Sequence, residues 1–358
     1  MRFLLTFCLF FGVFTQASGQ GGLDTLGLTG TMADTVVAKM LLNEAVELNK
    51  QGKYEEAYLK ADSALIVFTG LLGEEAREVA DALQQIGRSQ CLTGAVNESI
   101  NSFERSLKIQ KQIFKLDHPR VADSYNGLGN CYESKGEHVK AIEYHKIALR
   151  IRQNNLGDLH PDVASSLNNI GISFDSKGEY DRAIEYYQRA LKIKLKTLGA
   201  DHPSVARSYN NLGVSSSKKM EYDNAIEYYK KALDLYLKNN GTWQLEVATL
   251  WFNIAQSYES QGEYNNAIIG FNKSLAIFLQ IFGDEYPDVA DSYNGLGNSY
   301  NSKGEYEKSI EYHKKALKIR IIFFGLEYPS VATSLNNIGV TYDSKGDLNK
   351  AIEFYEKS

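Results

Sequence analysis

Residues 163–204 read VASSLNNIGISFDSKGEYDRAIEYYQRALKIKLKTLGADHPS, and at Val205 the text begins again with VARSYNNLGVSSSKKMEYDNAIEYYKKALDLY. The same 42-residue register starts at Val37, Val79, Val121, Val247, Val289 and Val331, giving seven full units and a truncated eighth. A fixed period of this size marks a solenoid, in which each unit buries its apolar face only against its neighbours. That outranks the prior of roughly 150 residues per domain, under which 358 residues would suggest about two globular domains.

Two helices can be read in each unit. In the quoted one, Leu167, Ile170, Gly171 and Phe174 fall on one face at helical spacing, and Ser176-Lys177-Gly178 breaks the pattern. A second helix begins near Tyr180 and turns Ala183, Ile184, Tyr187, Ala190 and Leu191 inward. Gly199 ends it, in register with Gly73, Gly157, Gly241, Gly283 and Gly325, as a C-terminal cap requires. All five prolines, Pro119, Pro161, Pro203, Pro287 and Pro329, share one column, where a first helical turn tolerates the missing N–H. No strand pattern occurs, so the chain is expected to be all-α.

Glycine in mid-helix costs up to about 1 kcal/mol relative to alanine, yet Gly129, Gly171, Gly213, Gly297 and Gly339 repeat there. Close approach of the partner helix is the expected compensation. Ala141, Ala183, Ala225, Ala267 and Ala351, twelve residues later, are expected on the other side of that contact. Tyr187, Tyr229 and Phe271 are expected to fill the gap between units.

This pattern of small Gly, aromatic three residues later, Gly at the break, then Ala, aromatic and Ala resembles the tetratricopeptide repeat. The 42-residue period, the NNLG-type first helix and the GxxHPxVA loop resemble its kinesin light chain form. The resemblance covers residues 37–358. It implies a right-handed α-solenoid of helix-turn-helix units whose first helices line a concave groove. A second symmetry overlies the first: the Val121 unit is nearly copied at Val289 and the Val163 unit at Val331, as if a four-unit block had been duplicated.

Residues 1–19 are a different kind of sequence. Arg2 precedes the apolar run FLLTFCLFFGVF and small residues at Ala17, Ser18 and Gly19, the layout of a secretory signal peptide. The run is short of the roughly 20 apolar residues of a membrane span, so export (secreted or periplasmic) is expected. The alternative is an uncleaved anchor, the only route by which a membrane would enter. Residues 20–35, rich in Gly and Thr, read as a flexible leader. At the far end, Ile352 and Tyr355 lack a following unit and no polar cap is visible, so a longer parent protein is expected.

Apart from Cys8 in the signal segment, the cysteines are Cys91 and Cys131, in corresponding helices of neighbouring units. An oxidising compartment could pair them, although two buried free thiols are the commoner outcome. A net charge of −5, with Lys and Arg dispersed and no basic stripe, argues against nucleic acid as a partner. His118, His160 and His202 recur one unit apart, too far for a shared metal at about 2 Å bonds, and read as loop residues before proline. His145 and His313 replace the aromatics of sister units and read as packing. Asn97, Asn240 and Asn272 sit in N-x-[ST] sequons. Glu227 with Lys231 and Glu311 with Lys315 read as solvated faces. No nucleophile elbow, phosphate loop or metalloprotease motif is present, and no catalytic residue, cofactor or metal is expected.

The candidate site is the first helix. Asn126, Asn168, Asn210, Asn294 and Asn336 form one column and Asn169, Asn211, Asn253 and Asn337 a second, which Gly127 and Gly295 interrupt. An exposed amide offers donors and an acceptor together, so a row of them suits the backbone of an extended peptide. The resemblance implies the same use. The competing structural reading is that these amides brace helix ends or neighbouring units. Asp81, Asp123, Glu133, Asp175, Glu259, Asp291 and Asp343 stand near them against Lys39, Arg88, Arg207 and Lys218, a mildly acidic balance that favours a neutral or basic peptide. The expected function is a non-enzymatic scaffold for a protein or peptide partner. The alternatives are the sensor half of a protein with a downstream effector domain, or a structural spacer.

Overall fold

The structure is a computed structural model that describes residues 30–238 and 244–358. The signal segment, residues 20–29 of the leader, Asn240 and Gly241 lie outside the described residues. Sixteen α-helices and no strand occur among the described residues. They divide after Gly136 into two compact units.

The first unit holds α1 (Gly30–Lys50), α2 (Tyr54–Leu72), α3 (Arg77–Leu92), α4 (Val96–Ile113) and α5 (Pro119–Ser134). Helix α1 begins inside the stretch expected to be leader, so residues 30–35 are helical. Small side chains let the first pair approach: Ala38, Ala45, Ala57, Ala61 and Ala64 are fully buried with Phe68.

The second unit runs from α6 (His138–Leu156) through α7 (Pro161–Ser176), α8 (Tyr180–Leu198), α9 (Pro203–Lys218) and α10 (Tyr222–Lys238). It continues with α11 (Gln244–Ser260), α12 (Tyr264–Phe282), α13 (Pro287–Ser302), α14 (Tyr306–Phe324), α15 (Pro329–Lys345) and α16 (Leu348–Glu356). Leu167, Ile170 and Phe174 of α7 and Ala183, Tyr187 and Ala190 of α8 are buried together in a cluster that runs on into α11, a second cluster covers α11 to α14, and a third covers α14 to α16. The molecule is an all-α solenoid of helix-turn-helix units.

Local chemistry sets the helix ends. Each proline occupies the first turn of its helix. The residue before it is the N-cap: the Nδ1 atoms of His118, His160 and His202 accept from the N–H groups of Arg120, Asp162 and Ser204 at 3.2, 3.1 and 3.1 Å. The histidines expected to be mere loop residues therefore satisfy an orphan amide of the helix they precede. Gly73, Gly157, Gly199 and Gly325 end second helices with φ near +80° and ψ near 165°, a region open in practice to glycine alone.

The mid-helix glycines are explained differently from expectation. A β-carbon on Gly171 would stand 2.6 Å from the ring of Tyr187, and one on Gly213 would stand 2.5 Å from Tyr229. His313 does the same over Gly297 and Tyr355 over Gly339. The nearest partner is thus a ring sixteen residues on, within the same unit, and not the alanine at twelve. Phe271 packs against Gly295 of the following unit, in a unit where Ala255 replaces the glycine of its sisters, and Phe103 reaches both Gly87 of its own unit and Gly127 of the next.

Joints between repeats also carry polar contacts. Arg152 donates to Ser166 Oγ at 2.8 Å, Lys194 to Ser208 Oγ at 2.7 Å and Arg320 to Ser334 Oγ at 2.7 Å, each from a second helix to the next first helix. Burial, with the charge of Arg207, pulls the Lys194 ammonium down to about 8. The internal duplication reaches this level, since Arg152 with Ser166 and Arg320 with Ser334 lie 168 residues apart.

Candidate functional site: the first-helix face

In the second unit the first helices α7, α9, α11, α13 and α15 place the asparagine columns side by side. Asn168, Asn169, Asn210, Asn211, Asn253, Asn294 and Asn337 are half-buried and Asn336 is exposed. They do not stand as independent groups. Asn211 Nδ2 donates to Asn168 Oδ1 at 3.2 Å, and Asn337 Nδ2 donates to Asn294 Oδ1 at 2.8 Å. The second-column amide of one unit therefore braces the first-column amide of the unit before it. The same pairing fails at Asn210, whose buried Oδ1 has no partner. Asn126, on α5 of the first unit, is half-buried.

The two interruptions of the second column have a packing cause. Gly127 and Gly295 each follow a phenylalanine by 24 residues, and a β-carbon there would stand 2.3 Å from Phe103 and 2.5 Å from Phe271. Where the residue 24 earlier is Tyr187 or His313, the rings lean onto Gly171 and Gly297 of their own unit, and asparagine fits at 211 and 337. The sequence carries this covariation, but only ring placement gives it meaning.

Part of the expected acidic balance is cancelled inside the fold. Asp175 accepts from Ser215 Oγ at 2.6 Å and pairs with Lys218. Asp291 is held by Arg320 at 2.6 Å, Asp81 by Arg120, and Lys39 lies 3.9 Å from Glu78. Burial alone pushes the Glu259 carboxyl up to about 7. On the other helices, the Glu227–Lys231 and Glu311–Lys315 pairs form at one-turn spacing on exposed side chains. His313 is buried, and desolvation with the charge of Arg320 lowers it to about 4, so it packs as a neutral ring.

Among the described residues no group of three His, Cys, Asp or Glu is placed to hold a metal ion. No helix of the described residues is long and apolar enough to cross a membrane.

A sequence model of the tetratricopeptide repeat matches residues 78–153, 120–196, 176–238, 246–322 and 288–358. The chain belongs to the tetratricopeptide repeat family. No curated protein sequence matches it. Among solved structures it is similar to BtubC (BKLC) of P. vanneervenii, at 20% identity and a TM-score of 0.53, over 72% of this chain and 94% of that one. It is also similar to a Rap protein complexed with Competence and Sporulation Factor, at 13% identity and a TM-score of 0.56, over 89% and 96%. A third is the Pyrococcus horikoshii signal transduction ATPase PH0952, which has a tetratricopeptide repeat sensor: 16% identity, a TM-score of 0.68, 89% of this chain and 47% of that one. At these identities the likeness is one of fold. Repeats of this family serve in general as protein-interaction scaffolds, and that coarse function follows for this chain.

Proposed function

We propose that the face formed by α7, α9, α11, α13 and α15 binds an extended segment of a protein partner through its asparagine amides. The observation that carries this is their residual hydrogen-bonding capacity. An amide has two donor hydrogens and two acceptor lone pairs, and each bond between Asn168 and Asn211 or Asn294 and Asn337 uses one of each. Asn336 is exposed, and the other amides of the two columns in this unit are partly exposed. An extended backbone presents matching groups at regular intervals without regard to side chain. The Rap protein, of similar fold, is complexed with a factor, which supports a ligand-holding use of such an array. Nucleic acid is not proposed, since the formal charge is −5 and no basic stripe is present.

The test is selection of binders from a displayed peptide library, followed by titration on the protein and on the Asn210→Ala/Asn336→Ala variant. The expected result is at least a tenfold loss of affinity with unchanged helicity. Equal affinity in the variant would move binding away from these amides.

A second reading is favoured by the 0.68 TM-score to a protein in which such repeats are a sensor: the array serves a longer polypeptide. Mass spectrometry of the native protein separates the two. Export through residues 1–19 belongs to the proposal. A native N-terminus near residue 20 supports cleavage, and retention of Met1 supports an anchor.

A further inference from the structure

At two joints, neighbouring first helices meet through the same polar contact. Ser89 Oγ donates to Asn49 Oδ1 at 3.0 Å, and Ser215 Oγ donates to Asp175 Oδ1 at 2.6 Å, both across 40 residues. The position near the end of one first helix thus meets the position two residues earlier in the following one. In the pair α3 and α5 both ends of this contact are cysteine: Cys91 and Cys131, again 40 apart, with their thiols hydrogen-bonded to each other. Cys131 is fully buried and Cys91 partly open to solvent. Ser99 Oγ lies 3.0 Å from Cys131 Sγ and 2.5 Å from Gly87 O. Ser134 Oγ stands 4.0 Å from Cys91 Sγ.

We propose that Cys91 and Cys131 are a reactive dithiol that closes into a reversible disulfide joining α3 to α5, with Cys91 the attacking and Cys131 the resolving sulfur. The hydrogen bond from Cys131 draws the Cys91 thiol down to about 6, while burial and that same bond push Cys131 up, so the accessible sulfur is also the ionised one at neutral pH. The oxidant is a disulfide, RSSR. The Cys91 thiolate attacks one of its sulfurs, the S–S bond breaks, and RS⁻ leaves to become RSH. Cys131 then gives up its proton and attacks the Cys91 sulfur, releasing the second RS⁻ as RSH. Two protein thiols lose two electrons and RSSR gains them. The closed loop encloses α4, so oxidation constrains the unfolded chain.

The test equilibrates the full chain in buffers of reduced and oxidised glutathione over a range of ratios, traps thiols by alkylation and maps peptides by mass. Peptide mapping separates Cys8 from the pair. The expected result is a peptide pair linked through Cys91 and Cys131, 2 Da lighter, that reduces reversibly and raises the melting temperature by several degrees. Cys131→Ser should accumulate a glutathione adduct on Cys91, whereas Cys91→Ser should leave Cys131 unmodified at pH 7; helicity of each variant reports folding. Two freely alkylated thiols in the most oxidising buffer, or a stable glutathione adduct on the native chain, would overturn the proposal.

Discussion

The ring of Tyr187 lies so close over the backbone of Gly171 that a β-carbon at 171 would stand 2.6 Å away. Real β-carbons do not approach so closely, so the glycine is obligatory as long as the ring stays. Gly171→Ala should lower stability by about 1–3 kcal/mol, the range for overpacking a tight core. Urea titration followed by circular dichroism measures it. The double change Gly171→Ala/Tyr187→Leu should recover part of the loss, which an account based on helix propensity would not predict, since alanine is the better helix former.

Met220 has φ of 65°, the one positive value outside glycine among the described residues. The seven other units place glycine there, as Gly52, Gly94, Gly136, Gly178, Gly262, Gly304 and Gly346. A side chain in the left-handed region costs roughly 1 kcal/mol, and Met220 is 74% exposed, so little packing offsets it. Met220→Gly should therefore stabilise the fold by up to about 1 kcal/mol, reduced by the flexibility glycine adds to the unfolded chain. A lower unfolding midpoint would show that the methionine packs better than its exposure suggests.

His202 caps α9 through its Nδ1, which accepts from Ser204 N at 3.1 Å. His202→Ala removes the acceptor and should cost about 1 kcal/mol. His202→Asn, which keeps an acceptor of similar reach, should lose much less. Equal losses in the two variants would mean that the imidazole acts by packing.

Burial holds the Glu259 carboxyl near 7, above its ordinary 4.5. Folding therefore favours the neutral acid, and its stabilising contribution is fully present below the unfolded value. The contribution fades as pH rises and is gone once the pH has passed 7. Glu259→Gln should leave stability almost unchanged near pH 4.5 and raise it by about 1–3 kcal/mol at pH 8. Thermal melts of both proteins from pH 5 to 8 read the divergence. Parallel curves would show that the folded carboxyl titrates normally.

Repetition made the fold legible. The period, the proline column and the glycine breaks each recur often enough to place every helix pair, and the buried faces read from Leu167 to Phe174 and Ala183 to Leu191 are those observed. What periodicity could not supply was the pairing of positions between helices. It set Gly171 against Ala183, where the ring of Tyr187 intervenes. It took His118, His160 and His202 as loop residues, though a residue preceding a first-turn proline is by position an N-cap. The asparagine columns were visible, but their mutual bonds span 43 residues, an offset that depends on how far one helix slides past the next. The interruptions at Gly127 and Gly295 were visible, and the phenylalanine 24 residues before each is the signal that could have given their cause.

The central claim is that the partner lies along the first-helix face. Its most direct test is site-specific photo-crosslinking in the source cell, with a photoreactive residue at Asn336 on α15 and, separately, at Lys231 on the exposed side of α10. The account predicts a discrete crosslinked partner from position 336, abolished by a selected peptide added in excess, and none from 231. A partner captured from 231 and not from 336 would contradict it.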